Sequence, residues 1–152
     1  MTMLHHADTD DASYLELGEF LSTYGVADNI ARDLEELFTR VVFNIATANR
    51  DDHLRNHGFI RTPAGWRLAP AFDMNPSFRK AEHVLSLDLY NRQPDFQVAM
   101  ATAGYYRMDS ARAERIVNEV CKVVKKWKVC ARRLGLSGQE CSEAEHLFCC
   151  GN

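Results

Sequence analysis

Between Ile30 and Ile45, apolar residues return every three or four positions (Ile30, Leu34, Leu37, Phe38, Val41, Val42, Ile45), the spacing that gives a helix one buried stripe. Asp28 or Asn29 can cap its start and Glu35 and Glu36 lie early, so the segment reads as an amphipathic helix running to about Ala48. A helix of this kind must be covered along its apolar side, so the rest of the chain has to pack around it. Directly after the stripe comes NRDDHLRN, residues 49–56, a polar run broken only by Leu54 where a buried element releases the chain.

Other elements are legible around it. Residues 13–24 place Leu15, Phe20 and Leu21 near one helical face, with Ser13 and Glu16 in capping-box spacing and Gly25 as the stop. HGFI and WRLAPAFD, joined by the turn RTPAG, read as a β-hairpin with Asp73 just past it. From Met74 to Gln93 the pattern is irregular, with Pro76 and Pro94 as breakers, and reads as loop with one short helix around SLDLY. Residues 110–134 read as one long helix whose stripe of Ile116, Val120, Val123, Val124, Trp127, Ala131 and Leu134 packs into the core. A last helix is expected from Ser137 to about Leu147, opened by Ser137 and Glu140 in capping-box spacing.

Composition excludes several classes. With 46% hydrophobic and 26% charged residues over 152 positions, the chain can bury a single ordinary core and lies far from the disordered regime. A formal charge of −3 and a pI near 6.1 give no global attraction to nucleic acid or an anionic membrane. The N-terminus, MTMLHHADTDD, has acids where a secretory signal needs cations, and no run of about 18 apolar residues occurs, so the expected location is the cytoplasm, with no membrane partner. Five cysteines in the last third, without a C-x-x-C pair, read as reduced thiols rather than a disulfide framework or zinc knuckle.

The polar run is where chemistry concentrates. Transfer of a phosphoryl group asks a protein for a carboxylate that orients the attacking hydroxyl and for oxygen ligands that hold Mg²⁺ against the phosphates. Asp51 and Asn56 stand in the spacing D-x-x-x-x-N, and the hairpin returns Asp73 as a second carboxylate. The D-x-x-x-x-N spacing alone is common. Asp51–Asp52 can cap a turn, Asp73 can form an Asx-turn ahead of Pro76, and Asn56 can bond loop backbone. His53 and His57, four apart with Asp51, Asp52 and Asp73 nearby, also fit a His/Asp site for zinc, manganese or iron in a metal-dependent hydrolase. Arg79, Lys80 and Arg92 flank the irregular segment, and Lys122, Lys125, Lys126, Lys128, Arg132 and Arg133 crowd the late helix; such a face touches DNA phosphates in some proteins and is more simply a solvated surface.

The whole ensemble is more specific than its parts. FNIATANRDDHLRNHGFI followed by GWRLAPAFDMNPS resembles the HipA-like serine/threonine kinase family in order, spacing and flanking residues, and the resemblance extends to the early and late helices. It implies a mainly α fold, a protein-kinase-like C-lobe with one small β-hairpin beside the catalytic loop. The implied parts are a catalytic loop at 49–57, a hairpin at 57–70, a metal-Asp segment at 71–77 and a helical part at 94–148. It implies Asp51 as catalytic base, Asn56 and Asp73 as Mg²⁺ ligands, and Asp52, His53 and Arg55 as support of the loop, with Asp52 as a competitor for the catalytic role.

The function implied is transfer of the ATP γ-phosphate to a Ser or Thr of a protein substrate, with ATP and Mg²⁺ as cofactors, in the toxin of a toxin–antitoxin pair. Implied partners are an antitoxin, with DNA reached only indirectly through it, and the N-lobe. In the family that lobe carries the phosphate-binding loop and the lysine that pairs with the phosphates. No G-x-G-x-x-G or Walker-type sequence occurs in these 152 residues, so the N-lobe is expected to be absent and the isolated chain to turn over little. A non-catalytic module that binds an antitoxin or partner subunit is the alternative from a different class.

Overall fold

In the computed structural model, which describes residues 12–77, 79–148 and 150, helix α1 spans Tyr14–Tyr24. Its start matches the sequence signal, because the Glu16 carboxylate accepts the Ser13 backbone N–H at 3.0 Å. Gly25 ends it with its N–H on Leu21 O, and a Cβ at that position falls 2.3 Å from the same oxygen, so only glycine fits. A 3-10 turn over Ala27–Asn29 leads into α2, Ile30–Ala46, and Asn29 occupies the cap position without a side-chain cap bond. The expected Asp28 or Asn29 cap is therefore replaced by that turn.

Helix α2 is the axis of the molecule. Leu34, Leu37, Phe38, Val41, Val42 and Ile45 are all buried, and α1 and α4 (Ser110–Val124) pack against it. Arg112 on α4 grips Glu35 on α2 with both guanidinium arms, at 2.9 and 2.5 Å. The helix ends two residues earlier than expected, because Ala48 takes a left-handed conformation (φ 51°) that turns the chain into the polar loop.

Strands β1 (Phe59–Thr62) and β2 (Gly65–Leu68) form an antiparallel hairpin pairing Phe59 with Leu68 and Thr62 with Gly65, shorter than the sequence pattern implied. Asp33 of α2 fixes β2: the carboxylate accepts Nε and Nη2 of Arg67, at 2.7 and 2.9 Å, and the Leu68 N–H at 3.1 Å.

No helix forms around SLDLY. Leu85 and Leu87 are buried on either side of Ser86, so the segment is extended, and Ser86 makes a parallel bridge to Ser13. Asp88 then accepts the N–H groups of Tyr90 and Asn91, turning the chain back. Beyond it, Asp95 caps α3 (Phe96–Ala101) and Asp109 caps α4.

The long helix expected over 110–134 is broken. Lys126 leaves helical geometry (φ −90°, ψ 3°), and α5 (Trp127–Arg133) sets off separately, with Trp127 stacked on Phe148 at 4.1 Å. Ile116, Val124 and Ala131 are buried as the stripe required, but Val123, still within α4, is 67% exposed, and Leu134, the C-cap residue of α5, is 82% exposed. The Ser137–Glu140 capping box opens α6 (Gly138–Ala144), which passes into a 3-10 turn at Glu145–Leu147. Cys121, Cys130 and Cys141 are free thiols, whereas Cys149 and the N-terminal His5 and His6 lie outside the described residues. Among the described residues, no helix is long and apolar enough to cross a membrane.

Candidate functional site

The polar run after α2 is held by its own start. Asn49 donates its N–H to Asn44 O at 2.9 Å and its side-chain amide to Asn44 Oδ1 at 3.0 Å, and Leu54–Asn56 close a 3-10 turn over the buried Leu54. Adjacent carboxylates then meet opposite environments. Asp52 is 3% exposed, and its Oδ2 accepts the Tyr14 hydroxyl at 2.6 Å and the Asn44 amide at 2.6 Å, and lies 2.9 Å from His57 Nε2. Burial, reinforced by the Asp52 charge, holds the Tyr14 phenol well above the ordinary tyrosine range, so it stays a donor.

Asp51 faces outward. Its carboxylate is paired with the Lys80 ammonium, and that hydrogen bond, with the charges of Lys80, His53 and Arg55, lowers its pKa from the usual aspartate value. Lys80 is presented by a segment laced to the loop: Ser77 N–H donates to Ala48 O at 2.8 Å, Arg50 Nη1 to Lys80 O at 2.7 Å, and Val84 N–H to Arg50 O at 3.2 Å.

Asn56 is buried and lines a narrow cleft, with room for about one water, together with Arg40, Asn44, His57, Phe72 and Met74. Phe72 and Met74 flank Asp73, which is exposed, left-handed (φ 55°), and accepts the Asn75 amide at 2.8 Å. Arg40 ties the entry to this segment by donating Nη2 to Ala69 O at 2.7 Å. The fold thus brings Asn56 beside the turn that carries Asp73. Asn56 makes no side-chain hydrogen bond among the described residues, and it and Asp73 are the oxygen donors that a hard divalent cation selects, so the two residues fit Mg²⁺.

The His/Asp grouping of a hydrolase does not assemble. Among the described residues no three His, Cys, Asp or Glu side chains gather as a metal site, and His57 is turned to Asp52 instead. His53 is half-buried with Nδ1 unpartnered, and Arg55 is exposed.

Sequence reasoning missed Tyr14, Arg40 and Asn44 as parts of this site and gave Lys80 only a surface role. Arg40 and Asn44 had a signal: both fall within the buried face of α2, three and seven residues on from Leu37, where polar residues are out of place. Tyr14 and Lys80 had none, because long-range folding alone brings them to Asp52 and Asp51.

The chain was then compared with known proteins. The family model described as HipA-like C-terminal domain matches residues 1–127. No curated protein matches the sequence. Among solved structures, a chain of the Shewanella oneidensis MR-1 toxin–antitoxin complex of HipA, HipB and operator DNA superposes with a TM-score of 0.73 at 16% identity, over 90% of this chain and 33% of that one. The present chain thus spans a third of the solved chain it resembles, and the likeness establishes the fold: mainly α, a protein-kinase-like C-lobe with a small hairpin beside the loop. On the match of its family model over most of its length, the chain belongs to the HipA-like C-terminal domain family.

Proposed function

We propose that this chain is the catalytic C-terminal portion of an ATP-dependent serine/threonine protein kinase of the HipA type. The observation that carries the reading is the division of labour between neighbouring carboxylates. Asp52 is buried with three partners on Oδ2, while Asp51, five residues before Asn56, presents an exposed carboxylate. Asp52 in this reading is a positioning residue, and Asp51 is the group that meets the acceptor hydroxyl.

Because Lys80 holds the Asp51 pKa low, Asp51 acts mainly as an ionised acceptor that orients the Ser or Thr hydroxyl toward the phosphorus. Asn56 and Asp73 are the residues that would hold Mg²⁺. Bound Mg-ATP supplies the phosphoryl group and the charge that neutralises its oxygens. His53 and Arg55 support the loop. Turnover belongs to a longer assembly that includes an N-lobe, and a HipB-like antitoxin is the partner that the reading implies, with DNA contacted through it.

One observation favours a second reading, a non-catalytic partner-binding module: Leu89, Tyr90 and Tyr105 are 61%, 89% and 61% exposed along a pair of adjoining grooves. Calorimetric titration with Mg-ATP separates the two, run beside Asp73→Asn and a Mg²⁺-only control. Binding that is lost in the variant supports the kinase reading. No binding, or binding indifferent to Asp73→Asn, overturns it in favour of the module.

A further inference from the structure

Lys80 is the one residue that the structure brings onto Asp51 and that neither sequence reasoning nor family membership assigns to the site. Exposed ion pairs contribute little to stability, about 0–1 kcal/mol, so the Asp51–Lys80 contact is not explained as a structural staple. Yet the lysine is placed with care. The three hydrogen bonds that join residues 77, 80 and 84 to residues 48 and 50 fix its backbone on both sides.

Its surroundings are short of negative charge. Arg50 spends Nη1 on the Lys80 carbonyl rather than on a carboxylate, and its Nε is buried without a partner. Arg55 and His53 lie close enough to act on Asp51 through their charges. Around the Asp51 carboxylate therefore stand the Lys80 ammonium, the Arg55 guanidinium and the His53 imidazole. Such a cluster suits a ligand with several negative oxygens, and lysine is a point-charge binder of phosphate.

We propose that Lys80 is a phosphate-contacting residue, whose ammonium, fixed beside Asp51, holds the phosphoryl group presented to that carboxylate. The location rests on the kinase reading above; the chemistry named, a phosphoryl group bound by lysine, goes beyond it. Lys80 then faces two anions, Asp51 and phosphate, and donates an N–H to each. It does from the segment after Asp73 what electrostatic stabilisation of phosphoryl oxygens requires.

The test uses the whole chain and no divalent cation. Tripolyphosphate is titrated while the backbone amides of residues 50–56 and 80 are followed by NMR, and phosphoserine is titrated in parallel. Lys80→Met is expected to weaken binding roughly tenfold or more, and Lys80→Arg to restore most of it. Asp51→Asn should tighten binding, and less so in the Lys80→Met background, because the carboxylate competes for the ammonium. A preference for tripolyphosphate assigns the contact to nucleotide, and a preference for phosphoserine to the phosphorylated acceptor. Equal affinities of wild type and Lys80→Met, additive effects of the two substitutions, or no saturable binding overturn the proposal. The Asp73→Asn calorimetry can fail without touching this result, and the reverse holds as well.

Discussion

The Tyr14 hydroxyl, in the first turn of α1, donates at 2.6 Å to the carboxylate of Asp52, 38 positions later and next to the outward-facing Asp51. A buried carboxylate keeps its charge only while donors replace the water it has lost. Tyr14→Phe keeps the ring and removes one of the three partners, so it is expected to destabilise the fold by about 1.5–3 kcal/mol, read from urea unfolding. Asp52→Ala should cost more, since it leaves Tyr14, Asn44 and His57 without their shared acceptor.

His83 predicts an acid-sensitive fold. It is 2% exposed, and burial, aided by Arg50 and only partly offset by Asp52 and a backbone contact with Asn49, lowers its pKa to about 4. The unfolded chain binds the proton near 6.5, so stability is full above that pH and falls as the pH drops from 6.5 toward 4, by roughly 3 kcal/mol over the window. His83→Leu is expected to flatten the slope of unfolding free energy between pH 6.5 and 5, whatever its effect on the baseline. An unchanged slope would show that the ring takes up its proton without unfolding.

The stripe over residues 110–134 contains two kinds of apolar residue, buried and exposed. Ile116→Ala, in the core, should cost about 2–5 kcal/mol, whereas Val123→Glu and Leu134→Glu should stay within about 0.5 kcal/mol by thermal or chemical unfolding. A single continuous helix would make all three costly.

In the assembled kinase that we propose, Asp51→Ala should lower turnover by about 10²–10⁴-fold and leave nucleotide binding intact, while Asp73→Asn should weaken Mg-ATP binding. Steady-state kinetics beside equilibrium binding separates the two effects. The opposite pattern would exchange the roles of the two residues.

Local signals carried much of this fold. The capping boxes at Ser13 and Ser137, the periodicity of α2 and the hairpin are short-range, and each lies close to where the pattern put it. The failures have a common physical cause. SLDLY is helix-like by composition, but Ser86 is drawn into an isolated bridge with Ser13 between the buried Leu85 and Leu87, and beyond the break in residues 110–134 Trp127 stacks on Phe148. The site divides the same way: Asp51, Asn56 and Asp73 follow from a sequence motif, whereas the partners that hold the loop, Tyr14, Asn44 and Lys80, come from 8 to 38 positions away.

The Tyr14–Asp52 contact also has a kinetic consequence. Contacts between distant positions form only after the intervening chain has collapsed, and Tyr14–Asp52 ties α1 to the loop while Ser13–Ser86 ties its start to a still later segment. Helix α2, the hairpin and even the Asn44–Asn49 clasp can form before α1 docks, but Asp52 cannot shed its water until Tyr14 arrives. Docking of α1 and ordering of the loop are therefore coupled, and a chain caught before that step lacks both the α1 side of its core and the clasp on Asp52.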